Sequence, residues 1–72
     1  MNTPMPSPPH HKQYTIAIRS ANGHTTIHNI SATLPQAVLW ARAIGYGCLL
    51  PARITITTST GNICWTETIA QP

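Results

Sequence analysis

Acidic side chains are almost absent from this sequence of 72 residues, in which Glu67 is the only Asp or Glu. Catalysis by paired carboxylates needs two acids, and a Ser-His-Asp triad needs an acid to orient its histidine. A single acidic residue excludes catalysis by paired carboxylates and leaves Glu67 as the only acid available for a triad. The remaining charges are Lys12, Arg19, Arg42 and Arg53, which are scattered along the chain. We therefore expect a protein that is not an enzyme.

Long apolar runs and cysteine pairs are missing as well. No stretch approaches the ~18 apolar residues of a membrane-spanning helix, and no apolar signal segment opens the sequence. Cys48 and Cys64 do not form a Cys-x-x-Cys pair. We interpret them as two small hydrophobic residues, with a disulfide or a reactive thiol as the alternative. These absences predict a cytoplasmic protein with no membrane partner.

Histidine is the commonest residue that can bind a metal, with His10, His11, His24 and His28. On a strand, His24 and His28 point to the same face about 13 Å apart at ~3.3 Å per residue, too far to share one ion. The glycine fingerprints of phosphate and dinucleotide sites are absent. A pair of Cys64 with His28 would sit on a flat face without donors for an oxyanion. We expect no cofactor, no metal and no catalytic residue.

Four prolines crowd the first nine residues, and proline removes backbone donors and favours an extended polyproline conformation. This composition predicts a disordered Pro-rich tail over residues 1–12, with a ligand for a proline-binding domain as the alternative. A single folded domain is then expected over residues 13–70. A domain of this size has a thin stability margin, because it buries only about 60% of its unfolded surface.

Residues 13–20 alternate between apolar and polar side chains, which is typical of a half-buried strand. Asn22-Gly23 suits a two-residue type I′ turn, and residues 24–30 return as a second strand. That turn predicts that Ile18 faces Ile27 across the hairpin. The same register puts the core side chains at Tyr14, Ile16, Ile18 and Ile27 and the outward ones at Thr15, Ala17, Arg19, Thr26 and His28.

A helix is predicted from residue 34 to about Ile44. Thr33 and Gln36 have the spacing of a capping box, and a proline lies in the first turn, where its missing donor does no harm. Gly45 or Gly47 is expected to end the helix in a left-handed conformation. The side chains that share one face of this helix are Leu34, Ala37, Val38, Ala41 and Ile44, with Trp40 at the edge and Gln36, Leu39, Arg42 and Ala43 opposite.

A second hairpin follows, with strands at residues 53–58 and 63–69 around Thr60-Gly61. The alternation predicts Ile54, Ile56, Ile63, Trp65 and Ile69 inward. Glu67 also falls on the inner side, so we expect it at a sheet edge or helix end, because an unpaired buried carboxylate is costly. The order β-β-α-β-β predicts an α+β fold in which one helix packs on one face of a four-stranded, mostly antiparallel sheet.

The other face of this sheet is then left to solvent, and we interpret it as a hydrogen-bonding surface for a partner. Its low charge suits a protein better than a phosphate backbone, where each contact requires a cation. Single-stranded nucleic acid also needs aromatic side chains for stacking, and the tryptophans and Tyr14 are predicted elsewhere. The predicted partner surface comprises Arg19, Thr26, His28, Arg53, Thr55, Thr57, Thr66 and Thr68.

Part of the chain resembles a known class of proteins. From Ser31 to Ile56 it carries Thr33-Leu34-x-Gln36-Ala37, Ala41 and Pro51-Ala52-Arg53-Ile54-Thr55-Ile56, with Gly61 beyond. This segment resembles short proteins of phages and other mobile elements, including some anti-CRISPR proteins with a hairpin, a helix and a hairpin. The resemblance implies this fold and a function in covering a surface of a host nuclease complex.

The composition and the exposed sheet face predict a small, non-enzymatic protein-binding module. The resemblance implies an anti-CRISPR-like inhibitor from a mobile element, whose partner is a host protein or protein complex. Two alternatives stay open. A nucleic-acid-binding domain would use Arg19, Arg53 and Lys12, with Arg42 as a further cation. A homo-oligomeric structural protein would follow from the low surface charge and the open strand edges. The exposed helix side with Leu39 is a rival contact surface.

Overall fold

A computed structural model describes residues 11–71 of the chain. The predicted order β-β-α-β-β is confirmed: β1 spans Lys12–Arg19, β2 Thr25–Ala32, α1 Leu34–Tyr46, β3 Ala52–Thr58 and β4 Ile63–Ile69. The four strands form one sheet in the order β2-β1-β3-β4, and all three strand pairs are antiparallel. The α+β class with a single helix is likewise as predicted.

The N-terminal boundary differs slightly from the prediction. The predicted disordered tail covers residues 1–12, and its first ten residues lie outside the described part of the chain. Lys12 is already the first residue of β1, where it pairs with Ala32 at the end of β2. The strand therefore begins one residue earlier than its alternating pattern suggested.

The hydrophobic core lies between α1 and the two central strands. Four isoleucines have side chains that are almost wholly buried: Ile16 and Ile18 from β1, and Ile54 and Ile56 from β3. They pair across the sheet as Ile16 with Ile56 and Ile18 with Ile54. The helix covers them with small side chains, since Ala37 and Ala41 are fully buried. Small residues here let the helix backbone approach the isoleucines closely.

Both ends of α1 have identifiable causes. The hydroxyl of Thr33 accepts from the Gln36 N–H, and the Gln36 side chain accepts from the Thr33 N–H, so the predicted capping box is confirmed. The predicted left-handed ending is wrong, because Gly47 caps the helix with a φ of −84°. Gly45 lies inside the helix, where a Cβ would stand 2.6 Å from the Ile69 Cδ1 atom. Its lack of a side chain permits close helix–sheet packing.

The first hairpin differs from the prediction by one residue. The Ser20 N–H donates to the His24 carbonyl at 2.9 Å, which closes a three-residue loop rather than a two-residue turn. Gly23 has a φ of 85°, and no non-glycine residue of the described chain has a positive φ. Asn22 is therefore not left-handed. It holds the loop instead by accepting from the His24 N–H at 3.0 Å. This geometry matches a three-residue hairpin with glycine in the left-handed position.

This extra loop residue changes the register, and a shift of one residue turns every side chain of β2 to the other face. Ile18 lies opposite Thr26 and Ala17 opposite Ile27, whereas the prediction placed Ile18 opposite Ile27. The predicted inward position of Ile27 is thus wrong, and its side chain is 64% exposed. The predicted outward positions of Thr26 and His28 are wrong for the same reason. The β2 side chains facing the helix side are Thr26, His28, Ile30 and Ala32.

The second hairpin turns at the predicted place, with Gly61 at a φ of 89° and its N–H bonded to the Thr58 carbonyl. A β-bulge interrupts the ladder between Ile56 and Thr57, so Ile56 pairs with Trp65 and Thr57 with Ile63. The bulge turns Ile63 outward, where it is 65% exposed. The predicted inward position of Ile63 is therefore wrong. The opposition of Thr55 and Thr66 follows the predicted alternation.

The register of β2 leads to a stability prediction. The Thr26 hydroxyl is buried and has no hydrogen-bond partner among residues 11–71. A buried, unsatisfied polar atom costs about 1–3 kcal/mol. We expect Thr26→Val to raise the free energy of unfolding by about 1 kcal/mol in urea titrations. Thr25→Val, its exposed neighbour, is the control and should change it by less than about 0.5 kcal/mol. A loss of stability in Thr26→Val alone would contradict this register.

Candidate functional site

The sheet has one face that no helix or strand of the described chain covers, and we call it the outer face. Three cross-strand rows of side chains run across it in the order β2, β1, β3, β4. The first row is Thr25, Arg19, Arg53 and Thr68. The second is Ile27, Ala17, Thr55 and Thr66, and the third is Asn29, Thr15, Thr57 and Ile63.

The first row contains two arginines side by side. Arg19 of β1 is directly opposite Arg53 of β3, and both residues are exposed. Like charges at directly opposed positions of a sheet destabilise it. The only acidic residue in the protein, Glu67, points to the other side of the sheet. The arginine pair thus forms a positively charged centre that no acidic side chain of the chain compensates.

The other two rows are neutral. Ile27 gives the second row an exposed apolar side chain at the β2 edge, beside Ala17. In the third row the Thr15 hydroxyl donates to the Asn29 side-chain oxygen at 2.9 Å. The outer face thus combines threonine hydroxyl groups with an exposed isoleucine at each edge, Ile27 on β2 and Ile63 on β4, and a cationic row at one end.

The predicted partner surface is only partly assembled on this face. Arg19, Arg53, Thr55, Thr57, Thr66 and Thr68 lie on it together, whereas Thr26 and His28 lie on the helix side because of the β2 register. The alternating pattern did not place Thr25, Ile27, Asn29 and Ile63 on this face. The Asn-Gly pair is compatible with both a two-residue and a three-residue loop, so the sequence alone did not determine the loop length. The binding role of these residues stays a prediction.

A second concave feature lies on the helix side, between α1 and the edge strand β4. This groove has a volume of about 400 Å³ and is lined by Leu34, Pro35, Val38, Leu39, Arg42 and Trp65. Its walls are mostly apolar, and Leu39 is exposed at its rim. The helix is narrower than the sheet, so it leaves the β4 side of the inner face partly open.

A polar network closes one side of this groove. The Arg42 Nε donates to both Glu67 carboxylate oxygens, at 2.9 and 3.1 Å, and the Trp65 Nε1 donates to Glu67 Oε1 at 3.2 Å. The Arg42 guanidinium also lies 6.0 Å from the Trp65 ring centroid, at the limit of a cation–π contact. Glu67 lies on an edge strand, as predicted, whereas its partner Arg42 was expected on the far side of the helix.

Groups that could perform chemistry are dispersed. Within residues 11–71, His, Cys, Asp and Glu side chains nowhere gather in a group of three that could hold a metal ion. Cys48 and Cys64 are half-buried free thiols whose Sγ atoms point at the carbonyls of Ile44 and Ile56, each at 3.4 Å. His28 lies on β2 and Cys64 on β4, the two opposite edge strands of the sheet, so these two residues do not form a nucleophile–base pair.

Comparisons of the chain with protein-family models, with curated proteins and with solved structures find no match. Its described helix is 13 residues long, and residues 11–71 contain no helix with the length and hydrophobicity that crossing a membrane requires.

The Arg42–Glu67 pair leads to a second prediction. Its side chains are 41% and 27% exposed, and exposed ion pairs contribute little. We expect Glu67→Gln to lower the free energy of unfolding by less than about 1 kcal/mol and to shift the Trp65 indole N–H resonance. Arg42→Gln and the double variant complete a double-mutant cycle, in which the coupling energy should fall as salt rises. An unchanged indole resonance together with zero coupling would contradict the network.

Proposed function

We propose that this protein is a non-enzymatic protein-binding module whose outer face docks on an acidic surface of a partner protein. The observation that carries the proposal is the Arg19–Arg53 pair, which is exposed, directly opposed and uncompensated by any acid of this chain. A partner carboxylate between the two guanidinium groups would relieve their repulsion and form charge-assisted hydrogen bonds. The free energy that this repulsion costs in the unbound protein would then be released on binding.

The rest of the outer face favours a protein over other anionic partners. Ile27 offers an exposed apolar contact in the row next to the arginines, and interfaces between proteins combine apolar and polar contacts. The threonines supply hydroxyl groups that both donate and accept hydrogen bonds. A host protein complex, the partner class implied by the mobile-element resemblance, is the kind of target we propose, and the protein would act by covering its surface.

A nucleic-acid-binding domain is the second candidate, because the same arginine pair can contact two phosphates. Two contacts give a weak dependence of affinity on salt, since each neutralised phosphate adds about 0.9 to the logarithmic slope. The outer-face rows contain no Trp or Tyr on which an unpaired base could stack. These features leave protein binding as the stronger proposal.

The test uses single charge-removing variants of the full chain. Arg19→Gln and Arg53→Gln should each reduce capture of an acidic partner at least tenfold, measured with immobilised protein, nuclease-treated host lysate and reconstitution with the purified partner. Lys12→Gln is the matched control, because it removes the same charge from β1 outside the arginine row, and should leave capture unchanged. Equal losses in all three variants would indicate non-specific charge attraction and contradict the proposal.

The same variants give a stability readout with the opposite sign. Removing one of two opposed like charges should raise the free energy of unfolding by up to about 1 kcal/mol, whereas Arg53→Lys should leave it nearly unchanged. Stabilisation combined with lost binding is what a docking site predicts. If Arg53→Gln instead destabilises the protein, the arginines stabilise the fold, which would contradict a docking site. A duplex-DNA titration with a steep salt slope would favour the nucleic-acid candidate.

A further inference from the structure

The outer edge of β2 has backbone groups that no strand of the described chain uses. The Ser20 N–H bonds to the His24 carbonyl, which makes that pair a hydrogen-bonded one, and in an antiparallel ladder such pairs alternate with pairs that are not bonded. The even-numbered residues of β2 therefore bond to β1. The odd-numbered residues direct their N–H and C=O groups away from the sheet, and these residues are Thr25, Ile27, Asn29 and Ser31.

This edge also lacks the features by which proteins usually protect an edge strand, such as a proline, a charged side chain or a bulge. The sequence of β2, TTIHNISA, contains no Pro, Lys, Arg, Asp or Glu, and its eight residues pair with β1 one to one without interruption. The other edge strand differs, because β4 carries both a bulge and the charged side chain of Glu67. The two edges are thus unequal, and β2 is the one open to pairing.

We infer that β2 pairs antiparallel with β2 of a second copy of this chain, which joins two sheets into one of eight strands. A second copy is the occupant that this strand suits, because a symmetric pair brings each residue against the same strand. A strand whose charges all had one sign would then meet its own copy with repulsion, and β2 contains no Lys, Arg, Asp or Glu. The low charge of the whole protein, with a formal net charge of +3, adds little repulsion between copies.

Symmetry and the hydrogen-bond pattern select one register. The outward-directed residues must pair with each other, and only one alignment pairs all four of them within the strand. In that alignment Thr25 lies opposite Ser31 of the second copy, and Ile27 lies opposite Asn29. His28 then falls on the two-fold axis, opposite His28 of the second copy, at a pair without backbone hydrogen bonds. The two outer faces become continuous, and two arginine pairs are displayed on one surface.

The first test is amide hydrogen exchange of the full chain, measured by NMR at protein concentrations from about 10 µM to about 1 mM, a range suited to small interfaces. The amides of Thr26, His28 and Ile30 should be protected at every concentration. Those of Thr25, Ile27, Asn29 and Ser31 should exchange quickly in dilute solution and slow at least tenfold at high concentration. Concentration-dependent protection at Thr66 and Thr68 instead, or none at the β2 edge, would overturn the inference.

A pair of lysine variants separates the edge from the face. Ile27→Lys adds a charge at the β2 edge and should abolish the increase in sedimentation coefficient with concentration, because protective lysines act in this way. Thr55→Lys adds the same charge in the same row of the outer face, but on the central strand β3, and should keep the self-association. The opposite result would assign the contact to the face.

The register has its own test. In His28→Cys, two copies should form an intermolecular disulfide on oxidation, because opposed Cα atoms at such a pair lie about 4.5 Å apart, within disulfide range. Ile30→Cys is the control, since residue 30 faces residue 26 of the second copy, and it should cross-link at least tenfold less. Equal cross-linking would contradict the register. All three tests are independent of the proposed partner, since Arg19→Gln should not prevent self-association.

Discussion

The packing of one narrow helix on the β1–β3 pair determines the rest of this structure. Four isoleucines from these two strands fill the space beneath Ala37 and Ala41, and together they account for the largest side chains that are fully buried. All of this apolar surface lies on one side of the sheet. The core therefore does not depend on the side chains of the outer face, and these remain available for contacts with other molecules.

Because this small domain has few charged side chains, the position of each one has a large effect on the surface. Glu67 is bonded to Arg42 on the helix side, where the pair also holds the indole of Trp65. Because that is the only acid, the two arginines of the outer face have no counter-charge within the protein. The same scarcity leaves β2 without any charged side chain. The uncompensated arginine pair and the uncharged β2 edge thus both follow from the scarcity of charged residues in this sequence.

The fold was largely predictable because its signals are local and consistent. The capping residues Thr33 and Gln36 marked the helix start, and period-two alternation marked the strands. The error arose where a local signal was degenerate, since Asn22-Gly23 suits loops of two or three residues. One residue of loop length reversed the faces of Thr26, Ile27 and His28 and so changed the candidate site. The bulge at Ile63 and the reach of Arg42 to Glu67 depend on tertiary contacts that alternation and helical periodicity do not describe.

The strand order has a consequence for how the chain folds. Each hairpin joins strands that are adjacent in sequence, but the central pairing of β1 with β3 joins Arg19 to Arg53, a separation of 53 − 19 = 34 residues. Closing that long loop costs chain entropy before the isoleucine contacts form. The two hairpins and the capped helix can form early from local contacts, whereas the core appears only when the halves meet. The step that brings β1 and β3 together is therefore expected to limit the rate of folding.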